Sequence, residues 1–147
     1  MRSIATAIAS SVAILTSPWQ GQAQEVVGLW DVTWAQAVRY DGDEMEIQRW
    51  GDATLELHGN GDEVTGTWTT SIVETVRWSL SGTWTGDLLT LTATERDSDN
   101  PELAVVEEMR WRARLTPEGL VGDMTMVLRG RARDLRWRPW NARKPDS

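Results

Sequence analysis

The sequence has 147 residues, of which 40% are hydrophobic, and a net charge of −7; this length suits one domain, and the apolar content excludes a disordered chain. It contains no Cys and one His, which excludes disulfides, thiolate metal sites, Cys nucleophiles and any site that needs two imidazoles. The acidic balance disfavours nucleic-acid binding, and ten Trp against no Phe indicate a core built from indole rings.

The start of the chain has the parts of a secretory signal peptide. A positive residue is followed by a mostly apolar stretch that ends at Leu15, and the small residues Gly21 and Ala23 precede a cleavage site. The stretch is too short to span a bilayer. We expect a signal peptide over residues 1–23, the alternative being an N-terminal helix, and a periplasmic or secreted domain over residues 24–147. No transmembrane segment is expected after signal removal.

Apolar and polar residues alternate along the mature chain, which is typical of half-buried antiparallel strands. Turn sequences rich in Gly, Asp and Asn separate the alternating segments. No segment carries a helical apolar stripe over three turns. The predicted strands cover residues 27–39, 45–58, 62–70, 74–84, 87–96, 104–115, 119–129 and 132–141.

Eight consecutive strands with short connections have two simple outcomes, a closed barrel or a β-sandwich. Closure removes the exposed sheet edges, and a meander closes without long crossovers. We therefore predict an all-β fold, an eight-stranded antiparallel up-and-down barrel, with the β-sandwich as the alternative. An outer-membrane barrel shows the same alternation, but it is disfavoured by the polar tail over residues 141–147.

The first predicted strand contains Gly28-Leu29-Trp30, which resembles the G-x-W motif of the calycins, the lipocalin, fatty-acid-binding and avidin-like barrels. The resemblance implies a barrel in which this Trp closes one end and a late Arg stacks across the ring. Arg133, Arg136 and Arg138 are the candidates for that Arg. The sequence lacks the avidin W-x-G-Q strand, so the resemblance does not extend to biotin.

Seven Trp residues fall on the apolar face of the predicted strands, so we expect them inside the barrel. Trp50 and Trp140 lie beside a predicted bulge and a proline, and are expected to be exposed contact residues. The seven interior residues are Trp30, Trp34, Trp68, Trp78, Trp84, Trp111 and Trp137.

The interior Trp residues have two interpretations. Indole rings can line a pocket for a small apolar or aromatic molecule, or they can fill an eight-stranded barrel, which is just wide enough for side chains or one small ligand. The first interpretation predicts an exported binding protein. Its candidate ligand-binding residues are Trp34, Trp68, Trp78, Trp84 and Trp111.

Arg110, Arg112 and Arg114 form a row on the polar face of one predicted strand. Guanidinium groups bind carboxylate and phosphate well, so this face is a candidate contact with an anionic partner in the cell envelope. The protein would then be a structural or interaction module with a filled barrel. The alternative for the arginines is cross-strand pairing with acids such as Glu108 and Asp123.

The sequence contains no recognisable pair of nucleophile and base, and its acidic loops lack EF-hand spacing. His58 precedes the turn at residues 59–62 and is expected to be an ordinary surface residue. We therefore predict no catalytic residue, no metal site and no cofactor, and an enzyme is the least favoured class.

Overall fold

The computed structural model describes residues 25–71, 74–98, 101–129 and 135–145, so the expected signal peptide lies outside it. Each strand pairs antiparallel with the next, and the last pairs with the first to close the barrel. The predicted up-and-down barrel is thus confirmed, and the sandwich is not formed. The strands are β1 (Gly28–Asp41), β2 (Glu44–Asn60), β3 (Glu63–Ser71), β4 (Thr75–Thr85), β5 (Leu88–Asp97), β6 (Val106–Thr116), β7 (Gly119–Leu128) and β8 (Arg138–Arg143).

Most connections between the strands have two or three residues, whereas those before β6 and β8 span residues 98–105 and 129–137. The connection before β6 contains a 3₁₀ helix, Pro101–Val105. Within the described ranges, no helix is both long enough and apolar enough to cross a membrane. Side chains alternate between interior and solvent, as in β4, where Val76, Trp78 and Leu80 are buried and the residues between them are exposed. This is the pattern that the sequence predicts for strands with one buried face.

The eighth strand is shorter than predicted, and this changes the position of two tryptophans. It begins at Arg138, and its buried positions are Trp140 and Ala142. Trp140 is only 1% exposed, so the expectation of an exposed residue was wrong. Trp137 precedes the strand and is half-buried on the outside, where the guanidinium carbon of Arg112 lies 3.8 Å from the ring centroid.

The other Trp predictions that fall on described strands agree with the structure. Trp50 is 47% exposed, as expected. Among the described residues, seven indole side chains are therefore buried in the interior, with Trp140 in place of Trp137. They belong to Trp30, Trp34, Trp68, Trp78, Trp84, Trp111 and Trp140.

The start of β1 and the end of β8 meet at one end of the barrel, here called the Trp30 end. The indole N–H of Trp30 donates to the carbonyl of Val26 over 2.8 Å. Lys144 Nζ lies 4.7 Å from the Trp30 ring centroid and donates to the carbonyl of Val27 over 2.5 Å. Gly28 has φ of +125°, and a Cβ there would lie 2.7 Å from Lys144 Nζ. The Trp30 ring, the Lys144 ammonium group and Gly28 together close this end of the barrel.

The cation over Trp30 is therefore a lysine. Arg133 lies outside the described residues. Arg136 Cζ lies 4.4 Å from the ring centroid of Tyr40, and Arg138 donates to backbone carbonyls of β1. The calycin resemblance implies that a late Arg stacks on the Trp30 ring. In this barrel the cation at that position is Lys144, directly after β8.

Arginine side chains also bind the half of β1 that β8 does not reach. β8 pairs with β1 only over residues 31–34, and the pairing of β1 with β2 is irregular on both sides of Ala37. Arg138 Nη1 donates to the carbonyls of Ala35 and Gln36 over 3.3 and 3.2 Å. Because a register shift leaves backbone groups without strand partners, the guanidinium satisfies two carbonyls that would otherwise need water.

Candidate functional site

Trp68 lies at the centre of a cluster of four indole rings in the interior. Its ring centroid is 6.1 Å from that of Trp34, 5.6 Å from that of Trp140 and 5.3 Å from that of Trp111. The first two pairs are edge-to-face, with interplanar angles of 79° and 86°. This arrangement places the positive edge of one ring against the negative face of another and is favourable.

Two of these tryptophans pair with glycines on neighbouring strands. Trp34 pairs with Gly51 on β2, and Trp140 pairs with Gly122 on β7. A Cβ at Gly51 would lie 2.1 Å from Oε1 of Gln36, and a Cβ at Gly122 would lie 1.8 Å from the carbonyl oxygen of Arg112. A larger residue at either position would therefore require a neighbouring group to move.

A cavity of about 240 Å³ lies at the end of the barrel opposite Trp30, among the β3–β4 and β5–β6 connections. We call it the tryptophan cavity. Its walls are three indole rings with aliphatic and thioether side chains around them. The described residues that line it are Trp34, Trp68, Thr70, Glu74, Val76, Trp78, Leu103, Val106, Met109 and Met126.

Hydrogen-bond donors are buried in the interior without partners. The indole N–H groups of Trp34, Trp84 and Trp111 are covered by protein atoms and have no hydrogen-bond acceptor among the described residues. By contrast, the indole N–H of Trp140 donates to the carbonyl of Asp123 over 3.0 Å. Because the unpaired groups are covered, a molecule in the cavity would not reach them without a rearrangement of the rings.

Two charged side chains lie close to the tryptophan cavity. Glu74 is exposed and lines it, and its Oε1 accepts a hydrogen bond from Ser98 Oγ over 3.4 Å. Arg96 stands behind the wall: its guanidinium carbon lies 5.4 Å from the Trp78 ring centroid, and Nη1 donates to the carbonyl of Val106 over 3.4 Å. Glu74 is the one ionisable side chain among the described lining residues.

The five predicted ligand-binding tryptophans occupy different places in the barrel. Trp34, Trp68 and Trp78 line the tryptophan cavity. Trp111 is buried against Trp68, behind the lining residues. Trp84 is buried near the β2–β3 turn, where its backbone N–H donates to the carbonyl of Asp62 over 2.8 Å.

Sequence reasoning did not single out several lining residues. Met109 and Met126 face each other across β6 and β7; both belong to the apolar pattern of the sequence, which does not separate a cavity wall from a filled core. Glu74 stands in a connection without a recognisable turn signal. Leu103 is carried into place by the 3₁₀ helix, which strand alternation cannot predict.

The predicted row of arginines is present on the outer face of β6, and each member has an acidic partner. Arg110 pairs with Glu108, Arg112 with Asp123 at 3.3 Å, and Arg114 with Asp87 at 2.8 Å. Glu108 is on β6 itself, Asp123 is on β7, and Asp87 is in the turn between β4 and β5. Only the contact of Arg112 with Asp123 is of the expected cross-strand kind, and binding of an anionic partner stays a prediction.

His58 is exposed, and its Nε2 lies 3.3 Å from Oε1 of Glu56. In the part of the chain that the structure describes, no group of three or more His, Asp or Glu side chains is placed to hold a metal ion. The tryptophan cavity is lined mainly by apolar side chains, which is typical of sites that bind small molecules.

No protein-family model matches the chain, and no curated protein matches it. The arguments for a function thus come from the geometry of the barrel and its cavity.

Proposed function

We propose that this protein is an exported binding protein that holds a small, largely apolar molecule in the tryptophan cavity. The observation that carries the proposal is the cavity itself: about 240 Å³ of space beside three indole rings, in a barrel whose opposite end is closed. Ligand sites are typically concave and apolar with few polar groups, and this description fits the lining residues.

The size of the cavity supports a ligand of about one aromatic ring with a small substituent. Dry apolar cavities of about 150 Å³ bind benzene, so about 240 Å³ accommodates a somewhat larger molecule. Met109 and Met126 add flexible, polarisable walls, which adapt to ligands of different shapes.

Export and a calycin relationship belong to the same proposal. The signal-peptide features of residues 1–23 support export. The Gly28 and Trp30 positions of the G-x-W motif, together with Lys144 over the Trp30 ring, support a relationship to calycin barrels. In this view the closed Trp30 end is structural, and the tryptophan cavity is the binding end.

The proposal is tested by filling the cavity. Val76 lines it and is 9% exposed, whereas Val121 on β7 is 50% exposed. We expect tert-butylbenzene to quench Trp fluorescence of the wild-type protein on binding, and Val76→Phe to weaken that binding at least about tenfold, because the added ring occupies the ligand's space. A tenfold loss corresponds to about 1.4 kcal/mol.

Val121→Phe is the matched control, since it adds the same atoms on the outer surface, and it should bind the probe like the wild type. Thermal unfolding of both variants verifies that they fold. Equal binding by Val76→Phe and the wild type, or no binding of the probe by the wild type, would contradict the proposed site.

A further inference from the structure

We propose that the ligand of the tryptophan cavity is a small organic cation, a quaternary ammonium with an apolar body. This inference rests on the proposed function and adds the charge of the ligand to it. Three features of the cavity carry the inference: its rings, its single carboxylate and the absence of a cationic group among its described lining residues.

The rings provide the first argument. Trp34, Trp68 and Trp78 line one cavity of about 240 Å³, and Trp is the side chain whose ring face attracts cations most strongly. A quaternary ammonium group has no hydrogen-bond donors, so it loses little by leaving water for an aromatic wall. A quaternary ammonium group therefore does not need a hydrogen-bonding partner among the lining residues.

Ring faces in this barrel already bind cations. Lys144 Nζ lies 4.7 Å from the Trp30 ring centroid, and the guanidinium carbon of Arg96 lies 5.4 Å from that of Trp78. Both distances are within the range of cation–π attraction, about 6 Å. The protein thus uses the same interaction in its own structure, at both ends of the barrel.

The second argument is the charge at the cavity. Glu74 is the one ionisable side chain among the described residues that line it. Its carboxylate is exposed, so it interacts with the charge of a ligand through partly screened contacts. A cation gains from this carboxylate, a neutral molecule does not, and an anion is repelled.

The positive charge of Arg96 lies near the cavity and would repel a cationic ligand, so the position and contacts of its guanidinium group are important. It is not among the lining residues, its Nη1 is bound to the Val106 carbonyl, and its Nε is covered by protein atoms without an acceptor among the described residues. The indole N–H of Trp34 is covered in the same way. An anion in the cavity would therefore meet a carboxylate and indole rings, with these donors out of reach.

The test compares three probes with the same phenyl ring and a tetrahedral head group of different charge. They are phenyltrimethylammonium, neutral tert-butylbenzene and anionic benzenesulfonate. Dissociation constants are measured by Trp fluorescence titration of the exported form of the protein. We expect the cation to bind about tenfold more tightly than the neutral probe, because a desolvated cation–π contact with Trp is worth at least that ratio, and the anion to bind most weakly.

Variants of the charged residues give an independent readout. Glu74→Gln should weaken cation binding about fivefold, since it removes one partly exposed opposite charge, and should leave the neutral probe unchanged. Glu118→Gln is the matched control: Glu118 is exposed in the β6–β7 turn, at the Trp30 end. Arg96→Gln should strengthen cation binding by removing a like charge.

The outcomes separate the ligand's charge from the existence of the site. If tert-butylbenzene binds as tightly as the cation and Glu74→Gln changes neither, the inference is overturned while the proposed function stands. If benzenesulfonate binds most tightly and loses affinity in Arg96→Gln, the site is an anion site and the inference is equally overturned. If none of the three probes binds, the proposed function fails together with it.

Discussion

At the scale of single residues, Gly28 and Lys144 explain why the Trp30 end is closed. Gly28 has φ of +125°, a conformation that L side chains rarely adopt, and the space where its Cβ would lie is next to Lys144 Nζ. The lysine in turn covers the Trp30 ring. The G-x-W motif therefore combines a backbone requirement with a packing requirement.

We predict that Gly28→Ala destabilises the protein by about 2 kcal/mol, the usual cost of a residue held in a sparsely populated backbone region. The free energy of unfolding in urea measures this. Gly61→Ala is the control, because Gly61 also has positive φ, +71°, but nothing lies within 4 Å of its added Cβ. It should cost about 1 kcal/mol; a loss in Gly28→Ala no larger than in Gly61→Ala would count against the role of Gly28.

The calycin resemblance implies that Trp30 closes one end and that a late Arg stacks on its ring, whereas the cation over the ring is Lys144. Lys144 is the only lysine in the sequence, and it follows the last strand in a polar tail that looks like an unstructured end. Its role depends on the exact register of β8 against β1. That register is set by long-range pairing, which a local pattern of residues does not encode.

At the scale of elements, the strands were predictable because their alternation is regular. For seven of them the predicted bounds differ from the structure by at most two residues at each end. The exception is β8, predicted over residues 132–141. The alternation before it continues through Trp137, but the strand begins only at Arg138.

The start of β8 shows why this alternation was misleading. Arg136 precedes the strand, and its guanidinium lies over the Tyr40 ring of β1. Arg138 pairs with Met124 of β7 through its backbone and also donates from its side chain to carbonyls of β1. The alternating pattern therefore reflects two arginines that bind β1 and a tryptophan that packs on Arg112. A single sequence does not distinguish such contacts from a strand.

We predict that Arg138→Met loosens the irregular part of β1. Two carbonyls, those of Ala35 and Gln36, lose a charged donor, which should cost about 2 kcal/mol. Hydrogen exchange of the β1 amides after Ala35 should become faster, while exchange over residues 31–34 changes little because the pairing with β8 remains.

Arg143→Met is the control for this change, since Arg143 is exposed on the same strand. It should leave both stability and exchange near the wild-type values. Unchanged exchange of β1 in Arg138→Met would show that the strand does not depend on the guanidinium.

At the scale of the whole molecule, the indole rings are distributed along the barrel between a closed end, a packed middle and the wall of the cavity. Trp30 closes one end, Trp111 and Trp140 pack around Trp68 in the middle, and Trp34 and Trp78 complete the wall of the tryptophan cavity. The sequence predicts that most of these rings are inside. It does not predict how much space remains among them, because that space depends on the packing of the ring side chains and on the connections that carry Glu74 and Leu103.

The proposed function requires that a small molecule can enter the tryptophan cavity. A crystal structure determined under xenon pressure measures this entry, since xenon binds apolar cavities whatever the charge of a ligand. We predict a xenon atom in contact with Trp34, Trp68 and Trp78. A structure without xenon at this position, in which Met109 and Met126 fill the space between the rings, would contradict the proposed binding site.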